Sequence, residues 1–127
     1  DTTGGEIMDF NSNLPIYIQI VDYIKRQIIT GTLKEGDKLP SVREIATDLK
    51  VNPNTIQRSY QELERENLVF TQRGMGTFVT EDKSIIKELK ENLANNIINN
   101  FIENMKTLGF NLKDIVDLIN YKVGEED

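Results

Sequence analysis

The sequence predicts a mainly α-helical fold with one small β-hairpin, and three stretches carry that prediction. Ser41 to Leu63 reads as two short helices separated by a tight turn. Leu68 to Thr80 reads as two short β-prone runs around Arg73-Gly74-Met75-Gly76. From residue 81 onward, apolar residues recur at helical spacing over about 25 residues. A helix pair, a hairpin directly behind it and a long helix after that describe a winged helix-turn-helix with a C-terminal helical appendage.

Taken in order, residues 1–8 are set apart. Asp-Thr-Thr-Gly-Gly-Glu-Ile reads as an expression remnant and disordered N-terminus ahead of Met8. Residues 9–80 form the winged helix-turn-helix domain. Its first helix starts at Leu14-Pro15, with Pro near the first helical position. Tyr17, Ile20, Val21, Ile24 and Ile28 form its expected buried stripe, and Gly31 stops it. Lys25 and Arg26 lie on its outer face, either near phosphates or simply solvated. Thr32 to Pro40 is a loop, with Lys38 and Leu39 as a very short edge strand.

The next helix has the strongest start signal in the chain. Ser41 follows Pro40, and Glu44 lies three residues later, so side chain and backbone can cap each other reciprocally. Val42, Ile45, Ala46 and Leu49 make one apolar face. Lys50-Val51 breaks the pattern, and Asn52-Pro53 opens the following helix, Asn as N-cap and Pro at N1. That helix buries Ile56, Tyr60 and Leu63 and ends at Asn67. Its outer face holds Asn54, Thr55, Gln57, Arg58 and Gln61, rich in hydrogen-bonding groups and free of acid until Glu62, as a major-groove reader should be. A polar outer face also occurs on helices that never touch DNA, so the hairpin matters. Glycines at its tip let backbone approach a phosphate or the minor-groove floor, and Arg73 brings charge to the same place.

Residues 81–127 change character. Ile86, Leu89, Leu93, Ile97, Phe101, Met105 and Leu108 recur at three- and four-residue steps, widened by Ile85, Ile98 and Ile102, until Gly109. Asn111 caps a last helix, with Asp114 at N3 and Leu112, Ile115, Val116, Leu118, Ile119 and Val123 as its apolar content. Two helices have too little core to stand alone. The expected partner for this wide stripe is a second copy, through Leu89, Leu93, Ile97, Phe101, Met105, Ile115 and Ile119; folding back on the winged helix is the alternative. Asn92, Asn95, Asn96, Asn99, Asn100 and Asn104 also line the long helix and suggest no chemistry, only a poor helix former that needs packing.

Composition narrows the function. The formal charge of −6 argues against nucleic acid until its distribution is considered. Residues 1–13 carry −3 and residues 81–127 carry −4, whereas residues 14–80 hold nine bases against eight acids. The helix-turn-helix region is thus nearly neutral, and phosphate neutralisation is a local matter. With no cysteine and no histidine, disulfides, Cys/His zinc sites and Ser-His or Cys-His catalysis are excluded. No cofactor is expected. A carboxylate-bound magnesium is the residual enzymatic possibility, without a Gly-rich phosphate loop to support it. No apolar run approaches the ~18 residues of a membrane span, so no membrane partner is expected and a cytoplasmic location is the default.

Residues 14–80 closely resemble the DNA-binding domain of GntR-family bacterial transcription regulators. The resemblance rests on the G-x-L-x-x-G-D-x-L-P-S-x-R run from Gly31 to Arg43, the V-N-P-N-T turn and the Q-R-G-x-G-T-F-V wing. The short two-helix tail resembles the YtrA-type subgroup, whose tails dimerise and whose members are typically repressors of neighbouring transport operons. The resemblance implies DNA contacts at Arg43, at Asn54, Thr55, Gln57 and Arg58, and at Arg73, Gly74 and Gly76. Pro53 departs from the arginine found there in many members with large effector domains, so one base contact is missing. Arg43 could instead pair with Glu44 or Asp48, and Arg58 with Glu62.

The reading that follows is a homodimeric repressor of its own or a neighbouring transporter-type operon. It would place helix 52–66 in the major groove and wing 72–78 at the minor groove of a pseudo-palindromic operator in double-stranded DNA. An unknown small-molecule effector could act by changing the spacing of the two heads. The rival is a winged helix used only for protein–protein contact.

Overall fold

A computed structural model describes residues 10–126; the expression remnant read at the N-terminus lies outside the described residues. Five helices and one two-stranded antiparallel sheet are formed among them: α1 (Ile16–Ile29), α2 (Val42–Leu49), α3 (Pro53–Arg65), β1 (Val69–Gln72), β2 (Gly76–Val79), α4 (Lys83–Thr107) and α5 (Leu112–Glu126). The chain divides into two compact units, one ending at Leu89 and the other beginning at Lys90. The division falls inside α4, later than the change of sequence character at residue 81.

In the first unit α3 is the hub, packing on α1, α2 and β1. Helix α1 buries Ile20, Val21, Ile24 and Ile28. Tyr17, expected in the same stripe, is only half-buried, in the first turn of α1. Ahead of it, Gln19 Oε1 accepts from the Asn11 N–H at 2.7 Å. Its amide Nε2 donates to the Asn11 and Leu14 carbonyls at 2.6 and 2.9 Å, folding residues 11–14 onto the helix.

The predicted capping box of α2 is complete. The Glu44 N–H donates to Ser41 Oγ at 3.1 Å, and the Ser41 N–H donates to Glu44 Oε1 at 2.8 Å. Helix α2 ends on Lys50 in the left-handed conformation (φ +57°), which reverses the chain in one residue. Asn52 then caps α3 by accepting the Asn54 N–H at 2.7 Å, with Pro53 at the first position. Two polar side chains lock this pair to its surroundings. The buried Tyr60 hydroxyl donates to the Pro40 carbonyl at 2.6 Å, tying α3 to the start of α2. Ser59, fully buried, donates to the Tyr17 carbonyl at 3.1 Å and to the Thr55 carbonyl at 3.0 Å, tying α3 to the start of α1. Burial was expected for Tyr60; a serine in the helix–helix seam was not, since an apolar pattern does not mark it.

Asn67, at φ +64°, reverses the chain after α3. The hairpin pairs Val69 with Val79 through to Gln72 with Gly76. The predicted edge strand is a single bridge between Lys38 and Phe78, extended by Leu39 N–H to Thr77 O and Val79 N–H to Asp37 O, both 2.8 Å. Leu39, Leu68, Val69 and Val79 close the core below α3.

Helix α4 carries the predicted stripe. Asp82 caps it, accepting the Ser84 N–H at 2.9 Å, and Gly109 (φ +96°) follows its end. Helix α5 begins with a second reciprocal cap: the Asp114 N–H donates to Asn111 Oδ1 at 2.8 Å and the Asn111 N–H to Asp114 Oδ2 at 3.3 Å. The seven residues expected to dimerise fall into three sets. Leu89 and Ile115, at 8% and 3% exposure, are already covered within one chain and have almost nothing left to bury against another. Leu93 and Met105 are half-buried. Ile97, Phe101 and Ile119 are 56%, 40% and 44% exposed, and Leu112, Val116 and Val123 join them at the surface.

Candidate nucleic-acid interface

The α3 face that points away from the core presents Asn54, Gln57, Arg58 and Gln61 exposed, with Thr55 half-exposed. The cause is the helical period: Ile56, Ser59, Tyr60 and Leu63 face inward, so the positions between them face out. The Asn54 backbone N–H is satisfied by the Asn52 side chain, and its own side chain is exposed.

Neither arginine is neutralised in the ways the sequence left open. Arg43 is exposed in the first turn of α2 and forms no ion pair with the described residues; Glu44 is committed to the Ser41 cap. Glu62, the acid four residues beyond Arg58, is taken by Arg65 through Nε at 3.1 Å and through Nη2. These hydrogen bonds from Arg65 pull the Glu62 carboxyl down to about 2. Arg58 instead lies over the Tyr17 ring, its guanidinium carbon 3.7 Å from the ring centroid. Asn54, Thr55 and Arg58 line one side of an open cleft of about 440 Å³, and Pro15, Ile16 and Tyr17 line the other. Tyr17 is thus a member of this surface that periodicity misassigned to the core; its place two residues after Pro15, in the first turn, was the available signal.

At the wing, Arg73 and Gly74 are exposed at the tip, and the Met75 N–H closes the turn on the Gln72 carbonyl at 2.9 Å. Gly74 (φ +79°) has open space where a Cβ would stand, leaving its backbone approachable. Gly76 is different. It opens β2 at φ +125°, and a Cβ there would meet Lys38 Cε at 2.6 Å. Glycine at 76 is thus favoured by its backbone conformation, while the end of the flexible Lys38 side chain could move aside for a Cβ. Lys38, read from the sequence only as part of an edge strand, adds a cation at the base of the wing. Lys25 and Arg26 are engaged within the chain, with Glu66 at 2.9 Å and Asp22 at 2.8 Å.

A short helix pair, a groove-facing polar helix and a charged wing on one small core are the parts of a DNA reader, and the comparisons agree. The profile of the bacterial regulatory proteins, gntR family, matches residues 16–79. The chain belongs to the GntR family. It is 47% identical over 108 residues to the uncharacterized HTH-type transcriptional regulator YhcF of Bacillus subtilis, spanning 85% of this chain and 89% of that one. To the HTH-type transcriptional repressor YtrA of the same organism it is 49% identical over 75 residues, 59% of this chain and 58% of YtrA. A GntR family transcriptional regulator from Listeria monocytogenes superposes with a TM-score of 0.82 at 48% identity, over 88% of this chain and 98% of that structure. The DNA-binding domain of AraR, solved in complex with operator ORX1, matches at a TM-score of 0.55 and 28% identity, over 59% of this chain and 95% of AraR(DBD). This GntR chain is a DNA-binding transcriptional regulator, not an enzyme. Among its described residues no helix is long and apolar enough to cross a membrane.

Proposed function

We propose that the protein is a homodimeric, cytoplasmic repressor that binds a pseudo-palindromic operator controlling its own or a neighbouring transporter-type operon. The observation that carries the dimer is the apolar surface of α4 and α5, where Ile97, Phe101, Leu112, Val116 and Ile119 stand exposed on helices too few to make a core. The repressor role follows the name of the similar YtrA.

In this reading each head lays α3 in a major groove. Asn54, Gln57 and Arg58 reach base edges: amide side chains suit adenine and the guanidinium suits guanine. Thr55 and Arg43 fix the register through phosphates or a nearby edge. Arg73 and the Gly74 backbone follow the flanking minor groove or its phosphates, and Lys38 adds a phosphate contact at the wing base. Two heads then require two half-sites about one helical turn apart or a multiple of it.

The test is footprinting of the purified protein on its own promoter region with binding titrated against salt. A protected palindrome is expected, with affinity falling steeply as salt rises, by about 0.9 in log–log slope per phosphate neutralised. No protection at low salt would reject the proposed operator assignment.

A further inference from the structure

We infer that Tyr17 is a positioning residue for base reading: its ring holds the Arg58 guanidinium in the plane that engages the operator. The inference rests on the proposed DNA role of Arg58. A guanidinium stacked on an aromatic face keeps its N–H donors in the plane, directed outward, where a guanine edge or phosphate can take them in pairs. An arginine free in water would have to lose its rotamer freedom at the moment of binding, whereas a stacked one has already lost part of it.

Three observations make the stack more than a chance contact. The Tyr17 backbone is anchored, because Ser59 from the buried face of α3 donates to its carbonyl at 3.1 Å. That bond, from a hydroxyl that also meets the Thr55 carbonyl within its own helix, ties α1 to the reading helix where the stack forms. The competing acid is removed, because Glu62 is held by Arg65. Arg58 is left with the ring at 3.7 Å and, among the described residues, no ion-pair partner.

The test selects a duplex from a randomised double-stranded DNA library with the full chain, then measures affinity and base preference for Arg58→Ala, Tyr17→Leu, Tyr17→Phe and the Tyr17→Leu/Arg58→Ala double variant. Arg58→Ala is expected to weaken binding about tenfold or more and to relax preference at the base pair that it reads. Tyr17→Leu should weaken binding about two- to fivefold and relax preference at that same base pair. Tyr17→Phe, which keeps the ring, should behave as wild type, and the double variant should be no worse than Arg58→Ala. A loss in Tyr17→Leu that is uniform over all positions, or that multiplies with Arg58→Ala, overturns the inference, as does an unchanged Tyr17→Leu. Unchanged binding in Arg58→Ala overturns the DNA role of Arg58 itself, and so separates the two failures.

Discussion

The two compact units dispose of their apolar side chains in opposite ways. In the unit ending at Leu89, Ile20, Ile24, Ile56, Leu63 and Val79 are almost fully covered, and what remains outside is the polar reading face. In the unit beginning at Lys90, Ile115 is the only large apolar residue buried among the described residues, while Ile97, Phe101, Leu112, Val116, Ile119 and Val123 stay exposed. Three helices and a hairpin can enclose a core; two helices cannot. The head's stability therefore belongs to one chain, whereas in the proposed dimer the tail's would depend on protein concentration through the second copy.

The largest effect should come from the head. Leu63 is fully buried on the helix that packs against α1, α2 and β1. Leu63→Ala should cost about 3 kcal/mol in unfolding free energy, from lost transfer energy and the cavity left behind. Denaturant unfolding at several protein concentrations should give the same loss each time. A loss that varied with concentration would show that the head, too, draws its stability from association.

Next is the tail. Ile97→Glu combined with Phe101→Glu puts charge on the exposed stripe and should yield a monomer by sedimentation. The head's own core should survive, so a circular dichroism spectrum rich in helix is expected to persist. Operator affinity should fall about 100-fold, because the second head no longer binds at the high effective concentration that linkage gives it. A double variant that stayed dimeric would place the interface elsewhere and end the contrast between the units.

Much of this arrangement was legible before any coordinates. Helix starts were, because Ser41-x-x-Glu44, Asn52-Pro53 and Asn111-x-x-Asp114 satisfy orphan backbone groups in one local geometry. The hairpin was, because glycines fix where a chain can turn. What stayed hidden depends on residues distant in sequence. Tyr17 fits the apolar stripe by spacing, and only the position of α3 leaves it half open with Arg58 upon it. Ser59 looks like a surface residue until two carbonyls are found beside it. Gly76 reads as a bare wing glycine until the Lys38 side chain is placed against it. Periodicity also could not separate Leu89 and Ile115, covered within the chain, from Ile97 and Ile119 in the same stripes.

The smallest effect is expected at the caps, where the two units are alike. Ser41→Ala removes the acceptor for the Glu44 N–H and should cost about 1 kcal/mol. Asn111→Ala does the same to α5. The comparison predicts different readouts: the first shifts unfolding independently of concentration, the second weakens self-association. Acid sharpens the first case. The Ser41 backbone N–H, and after it the Ser41 hydroxyl, hold the Glu44 carboxyl below its ordinary value of 4.5 in the folded state. A carboxylate lowered by folding stabilises fully above its unfolded value and loses that contribution as pH falls through the folded one. Glu44→Gln keeps a capping amide without the charge, so its stability deficit against wild type should be present near neutral pH and close as pH drops below 4.5. A deficit unchanged in acid would mean that the cap of α2 works by shape alone, as any hydrogen-bonding side chain of that length would.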